Sequence, residues 1–265
     1  MPDYKRYKHI KADRDGGILV LTLNRPETLN SFGPTLHPEL EDILEDVPKD
    51  EEAKVVILTG AGRAFSAGGD VKEMQRRLID PTAPRINISG ARRLIHNILG
   101  VPQPIVCAMN GDAVGLGATV ALFCDIVVAA DTARIGDPHV RVGLVAGDGG
   151  AVIWPLLIGI NKAKEFLMTG DLITAAEAER IGLINHVVPA AQVMAKSMEI
   201  ARRLEKGAGQ AIRWTKLSVN KELWHRVNLI LDTSLALEFQ LFSSADHAEA
   251  VNAFVEKRAP MFKGS

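Results

Sequence analysis

Two glycine-rich segments each follow an apolar run that is typical of a buried strand. Residues 65–70 (FSAGGD) come after the run 55–60, and residues 111–117 (GDAVGLG) come after the run 104–110. Neither segment has the spacing of a phosphate-binding nucleotide loop. For either turn alone, positive φ or close helix packing is the more common explanation. Side by side, however, two such turns can aim two backbone N–H groups at one point, which is an oxyanion hole for an ester or thioester oxygen.

His139 and Asp148 are the candidate proton carriers. Histidine titrates near neutral pH, which suits a general acid or base. Asp148 precedes a predicted helix over residues 151–158, and the N-terminus of a helix favours a carboxylate. Two structural interpretations stay open, because Asp148 could be the N-cap of that helix and His139 an ordinary turn histidine.

The composition is that of an ordinary globular protein. The chain has 265 residues, of which 47% are hydrophobic and 24% charged, with a net charge of −1. The charge balance argues against binding to nucleic acid, and no apolar run is long enough to span a membrane. Cys107 and Cys124 lie in apolar runs and form no C-x-x-C motif, so buried reduced thiols are expected. The first residues, 1–5 (MPDYK), have no apolar segment, so no signal peptide and a cytoplasmic location are expected. The seven histidines show no metal-ligand spacing, so no metal site is expected.

Strands and helices alternate in the first part of the chain, which predicts an α/β architecture. The apolar runs 18–23, 55–59, 105–109 and 125–130 predict strands, and 35–47, 86–99 and 117–123 predict helices. A proline-bearing loop, 80–84, precedes the second of these helices and is expected to be mobile.

Only helical patterns follow residue 190. They cover residues 190–206, 210–225, 227–242 and 246–257. We therefore divide the chain into a core, 1–190, and a C-terminal helical region, 191–265. The third pattern carries more apolar side chains than one helix can hide, which favours oligomerisation. These residues are Leu229, Ile230, Leu235, Leu237, Phe239 and Leu241.

Several motifs, in order along nearly the whole chain, resemble the crotonase (enoyl-CoA hydratase/isomerase) family. They are 23–26 (LNRP) with 30–31 (NS), 65–74 (FSAGGDVKEM), 110–117 with 124–126 (CDI), 167–171 (LMTGD) with 175–184, and 254–258 (FVEKR). The resemblance implies a spiral of ββα units with a C-terminal helical trimerisation region. It also implies a homotrimer or a dimer of such trimers.

The resemblance further implies a coenzyme A thioester as substrate, with no tightly bound cofactor. The thioester oxygen would lie between the backbone N–H groups of Gly69 and Leu116, where many relatives have glycine instead of Leu116. A donor of this kind is worth about 3 kcal/mol of the barrier. The positions that match coenzyme A contacts are Asn24, Arg25, Ala67, Gly68, Asp70 and Lys72, with Phe262 and Lys263 reaching a neighbouring subunit. Lys72 could equally be a solvated lysine at the start of a helix.

The chain departs from the family at both catalytic glutamates of its hydratases. Thr119 stands at the first of these positions, and the turn 136–139 (GDPH) replaces the second, so His139 falls on a catalytic position. Threonine cannot act as a general base near pH 7. The two-glutamate mechanism therefore cannot be carried over to this chain.

The segment 138–159 has a second resemblance, to the 6-oxocamphor hydrolase branch of the same superfamily. That branch cleaves a C–C bond of a cyclic β-diketone with a His and an Asp at the spacing of His139 and Asp148, and a late Glu. By position this glutamate is Glu238, which could also be an ordinary surface residue. Three functions follow: a coenzyme A thioester enzyme of the enoyl-CoA hydratase/isomerase type, a C–C bond hydrolase, or a catalytically silent acyl-CoA-binding protein.

Overall fold

A computed structural model describes residues 2–80, 82 and 88–264. The strands are β1 (Ile10–Asp15), β2 (Ile18–Leu23), β3 (Val55–Gly60), β4 (Ala64–Ser66), β5 (Ile105–Met109), β6 (Asp112–Val114), β7 (Ile126–Ala130), β8 (Arg134–Gly136), β9 (Ile173–Thr174) and β10 (His186–Val188). The helices are α1 (Leu36–Asp46), α2 (Val71–Ile79), α3 (Ile88–Gly100), α4 (Leu116–Phe123), α5 (Gly150–Ile158), α6 (Ile160–Thr169), α7 (Ala175–Arg180), α8 (Val193–Glu205), α9 (Gly209–Leu241) and α10 (Ala245–Glu256).

The larger sheet has the strand order β1-β2-β3-β5-β7-β10 among the described residues. β1 and β2 form an antiparallel hairpin, and the remaining pairs are parallel. Every residue of β3 and β5 is buried, as expected for strands of a parallel sheet that are covered on both faces. Helix α8 packs against β3, β5 and β7.

A second sheet, with the order β4-β6-β8-β9, positions the site. β4, β6 and β8 are parallel neighbours, and each follows one strand of the larger sheet in the chain: β3, β5 and β7 respectively. This repeat of two strands followed by helix is the ββα spiral that the family resemblance implies. Because neighbouring parallel strands end at the same edge, the segments after β4, β6 and β8 emerge side by side.

The C-terminal region differs from its prediction at one point. Helix α9 runs without interruption over Gly209–Leu241, so the predicted division into helices 210–225 and 227–242 is wrong. No glycine or proline lies near residue 226 to end a helix there. Helix α9 packs against α3 and α5. The predicted helix 86–99 is described from Ile88 onward, and residues 81, 83 and 84 of the predicted mobile loop lie outside the described residues.

Across residues 2–80, 82 and 88–264, no helix combines the length and the hydropathy that a membrane span requires. Helix α9, with 33 residues, is long enough. Its sequence, however, carries seven charged side chains, from Arg213 to Glu238.

Candidate active site

The turns that follow β4 and β6 touch each other. Gly68 has φ +81°, and a Cβ at this position would lie 2.5 Å from the carbonyl oxygen of Val114. Gly115 has φ +54°, and a Cβ there would lie 3.6 Å from Cε1 of His139 and 4.0 Å from Cα of Gly68. A side chain at Gly68 would push the turns apart, so glycine is required for their contact.

Gly69 and Leu116 carry backbone N–H groups with no acceptor among the described residues. The two neighbours of Gly69 both bond to the backbone of Phe32. The Asp70 N–H donates to the Phe32 carbonyl, and the Phe32 N–H donates to the Gly68 carbonyl. Leu116 is the first residue of α4, where N–H groups have no partner within the helix and the helix dipole is positive. Both groups are therefore free to donate to a ligand.

One cavity, here called the inner cavity, is lined by Gly69, Leu116, His139, Asp148 and Glu238. Its other walls are largely apolar. They include Phe32, Met74, Ile88, Leu144, Leu235, Phe239 and Phe242. The site thus combines free backbone donors, titratable side chains and an apolar compartment.

A second cavity, here called the outer cavity, shares Gly69, Met74 and His139 with the inner one. Arg63 and Lys72 are among its lining residues. Glu27 and Asp70 line it as well, so the shared residues mark the junction between an outer compartment with charges of both signs and a largely apolar inner one.

His139 lies at the centre of a cluster of carboxyl groups. Its Nδ1 is in contact with the Asp137 carboxylate, and its Nε2 lies 3.4 Å from Asp148 Oδ2 and 3.9 Å from Glu238 Oε1. Thr119 Oγ1 donates a hydrogen bond of 3.2 Å to Asp148 Oδ1. Burial lowers the pKa of His139, but the carboxylates of Asp137 and Asp148 outweigh it and raise the pKa well above its ordinary value. The imidazole therefore holds two protons at neutral pH.

Glu238 on α9 is buried, so its interpretation as a surface residue is wrong. Burial and the Asp148 carboxylate raise its pKa from 4.5 to about 8, against the opposing effect of His139. Glu238 and Ser234 also hold the turn that carries Asp148. A Cβ at Gly147 would lie 2.5 Å from Glu238 Oε2, and Ser234 Oγ donates to the Gly147 carbonyl at 2.8 Å. The Glu238 and Asp148 carboxyl groups are thus held together by the packing of α9 against the Gly147 turn.

Asp148 is not a helix cap. Helix α5 begins at Gly150, its N-cap is Gly149, and no side chain donates or accepts a capping bond there. Both Asp148 oxygens are directed elsewhere, one to Thr119 and the other toward His139. The N-cap interpretation is therefore wrong.

Asp137, His139 and Asp148 each bring a possible metal-ligating atom within 4.8 Å of the others. The sequence spacing gave no sign of such a group. In the structure, both ring nitrogens of His139 face carboxylate oxygens. A proton on each nitrogen therefore pairs the ring with both carboxylates, while Asp137 Oδ2 is buried without a hydrogen-bond partner among the described residues.

Four of the positions that match coenzyme A contacts line the outer cavity. They are Ala67, Gly68, Asp70 and Lys72. Asp70 also has a structural role, since its side chain accepts from the N–H groups of Lys72 and Glu73 as the N-cap of α2. Lys72 is exposed, as the alternative interpretation of a solvated lysine requires, and it faces the outer cavity as well.

The other four positions line neither cavity. Asn24 and Arg25 lie just before the segment 26–29, which itself lines the outer cavity. Phe262 and Lys263 are exposed in the segment after α10, where the Lys263 N–H donates to Asp246. These four residues contribute nothing to the two cavities within a single chain.

Sequence reasoning missed Asp137 and the pair His37 and Glu41. His37 Nδ1 lies 2.6 Å from Glu41 Oε1, and both residues line the inner cavity from α1. The spacing of four residues on a predicted helix is the signal that could have found this pair. For Asp137, the signal is its position two residues before His139, at the end of a buried strand.

Comparison with known proteins decides the family. The family model for enoyl-CoA hydratase/isomerase matches residues 13–265. The chain belongs to the enoyl-CoA hydratase/isomerase family. A probable enoyl-CoA hydratase of Mycobacterium tuberculosis is 34% identical over 260 residues, covering 97% of this chain and 98% of that protein. The 1,2-epoxyphenylacetyl-CoA isomerase of Escherichia coli is 35% identical over 253 residues, covering 94% and 95%.

Solved structures agree with this assignment. An enoyl-CoA hydratase/isomerase from Mycobacterium paratuberculosis has a TM-score of 0.87 and 38% identity, covering 92% of this chain and 97% of that one. The predicted crotonase fold is thereby confirmed. Within this fold, Thr119 is a buried α4 residue that donates to Asp148.

Proposed function

We propose that the chain is an enzyme that acts on coenzyme A thioesters, with chemistry of the enoyl-CoA hydratase/isomerase type. One observation carries this proposal: Gly69 and Leu116, whose backbone N–H groups have no acceptor among the described residues, line the same cavity as His139, Asp148 and Glu238. The names of the relatives, an enoyl-CoA hydratase and an acyl-CoA isomerase, support the same substrate class. No tightly bound cofactor is required, because coenzyme A is part of the substrate.

The two cavities suit the two halves of such a substrate. The outer cavity offers the Arg63 and Lys72 cations to the phosphate groups of coenzyme A. The inner, largely apolar cavity takes the acyl group. The thioester carbonyl then lies at their junction, near Gly69, where two N–H donors stabilise the oxyanion of an enolate by about 3 kcal/mol each.

The carboxyl cluster supplies proton transfer in place of the missing glutamate pair. At neutral pH, His139 and Glu238 hold protons that they can donate, and the Asp148 carboxylate is the acceptor. A base removes a proton from water or from the carbon next to the thioester, and an acid returns one to the enolate. Thr119 orients Asp148 for this role.

The test uses a panel of enoyl-, dienoyl- and β-ketoacyl-CoAs, with products followed by mass. His139→Ala and Asp148→Asn are expected to lower kcat by at least about 100-fold. His225→Ala, an exposed histidine on α9, is the matched control and is expected to be fully active. Folded wild-type protein that turns over no member would refute the enzymatic proposal. Tight acyl-CoA binding in that case would identify a silent binding protein.

A second candidate function is hydrolysis of a C–C bond in a cyclic β-diketone. Buried Glu238, with Oε1 3.9 Å from His139 Nε2, favours it, because the resemblance to that branch requires all three groups. Water would form a bond to one ketone carbon, the C–C bond would break, and its electron pair would pass to an enolate that is then protonated. Cleavage of cyclic 1,3-diketones, lost in Glu238→Gln and His139→Ala, would favour this candidate over the first.

We infer that residues 191–265 form an oligomerisation region, in a homotrimer or a dimer of trimers. On α9, Leu229 is 63% exposed and Leu237 50% exposed, whereas Leu235 is buried in the core. An apolar face of this kind is suited to a contact between copies. A molecular mass from light scattering equal to one chain at micromolar concentration would refute this inference.

We also propose a cytoplasmic location. Cys107 and Cys124 are free and buried, as is usual in a reducing compartment. Fractionation of cells that produce the protein tests this proposal, and recovery outside the cytoplasmic fraction would contradict it.

A further inference from the structure

Arg77 is a charged residue on the wall of the inner, largely apolar cavity. It lies on α2, three residues after Met74, and residues with this spacing share one face of a helix. Met74 covers the oxyanion turn, since a Cβ at Gly69 would lie 2.5 Å from Met74 Cε. The cavity wall therefore runs from Gly69 along α2. Arg77 lies about 9 Å along the helix axis from Val71, the first residue of α2.

The charge of Arg77 is only partly compensated. Glu73 Oε1 is shared by two guanidinium groups, at 3.0 Å from Arg76 Nη2 and 3.3 Å from Arg77 Nε. The second contact lacks hydrogen-bond geometry, so the buried Nε–H of Arg77 has no acceptor within residues 2–80, 82 and 88–264. The side chain as a whole is 26% exposed, and its Nη groups donate no hydrogen bond to any described residue, so these groups are left for a ligand oxygen.

The carboxyl groups that line the inner cavity are engaged elsewhere. Glu41 lies 2.6 Å from His37 Nδ1 and 3.0 Å from Arg93 Nε. Asp148 and Glu238 surround His139. Arg77 is thus left with a net positive charge that faces the space assigned to the acyl group.

We propose that Arg77 binds a carboxylate at the far end of the acyl group. The preferred substrate class is then a coenzyme A thioester of a dicarboxylic acid. A guanidinium group holds a carboxylate through two parallel, charge-assisted hydrogen bonds, which fixes both the length and the orientation of the chain. This inference rests on the proposed function, because it assigns the inner cavity to an acyl group.

The test measures binding and does not depend on turnover. Glutaryl- and adipyl-CoA are compared by calorimetry with hexanoyl- and heptanoyl-CoA, which are similar in length and neutral at the chain end. Arg77→Met removes the charge and keeps an apolar stem. Arg76→Met is the matched control, because Arg76 also pairs with Glu73 and does not line the inner cavity. Thermal unfolding of both variants checks that they fold.

Wild-type protein is expected to bind glutaryl- or adipyl-CoA at least about 10-fold more tightly than its neutral counterpart. The preference is expected to disappear in Arg77→Met and to remain in Arg76→Met. Equal binding of both classes by wild type, or an equal effect of the two substitutions, would overturn the role of Arg77 and leave the proposed function standing. Failure of all four ligands to bind would overturn both.

Discussion

Replacement of Glu238 by glutamine is expected to change how the stability of the fold depends on pH. The Glu238 pKa is raised from 4.5 to about 8, mainly by burial and by Asp148. Between these two values the folded protein binds one proton more than the unfolded chain. The free energy of unfolding therefore falls as pH rises, by about 1.4 kcal/mol per pH unit. Glutamine cannot titrate, so Glu238→Gln lacks this contribution.

The magnitude follows from the width of that interval. From about pH 5.5 to about pH 7.5, wild type is expected to lose about 3 kcal/mol of unfolding free energy relative to Glu238→Gln. His139, whose pKa is also raised, stabilises the fold fully below its unfolded pKa and loses this effect as pH rises from there through its folded pKa. Asp137 and Asp148, which raise the His139 pKa, are present in both proteins, so the His139 contribution is similar in both and the difference reports mainly on Glu238.

Urea denaturation at several pH values measures this difference. Glu222→Gln is the matched control, since Glu222 is on the same helix and its side chain is 60% exposed. The difference between wild type and Glu222→Gln is expected to stay constant with pH. Parallel stability curves for wild type and Glu238→Gln would refute the conclusion that Glu238 keeps its proton in the folded protein.

Two further predictions concern the turns and the histidine. Gly68→Ala is expected to lower kcat/KM by about 100- to 1000-fold, because its Cβ would lie 2.5 Å from Val114 O and displace an oxyanion donor. Gly182→Ala, at φ +82° in open space, is the control, and an equal loss there would point to backbone strain alone. Asp137→Asn is expected to lower the pKa of His139 and to move the basic limb of the kcat–pH profile toward acid, with kcat down by about 100-fold or more. An unchanged profile would contradict the role of Asp137.

The parts of the candidate site that follow single strands could be located from the sequence. The glycine turns at 68–69 and 115–116 are local features, because each follows one short strand and needs a backbone that only glycine adopts easily. His139 and Asp148 could also be identified from the sequence, since both lie in the segment that follows β8. The parallel pairing of β4, β6 and β8 then brings the segments that follow these strands to the same edge of the smaller sheet.

Glu238 is harder to interpret from sequence, because its environment depends on packing between distant segments. The buried residues Val227, Leu231, Ser234 and Glu238 follow one face of α9 at spacings of three and four. Two of the four are polar, so the pattern does not resemble an ordinary apolar stripe. The partners of these residues, such as Gly147, come from a segment far away in the chain.

Helix α9 therefore has two different surfaces, one at the site and one exposed. Ser234 and Glu238 on its inner face contact the Gly147 turn. Leu229 and Leu237 on its outer face are exposed. A second copy packed on Leu229 and Leu237, as proposed above, would therefore contact the same helix that places Glu238 in the site.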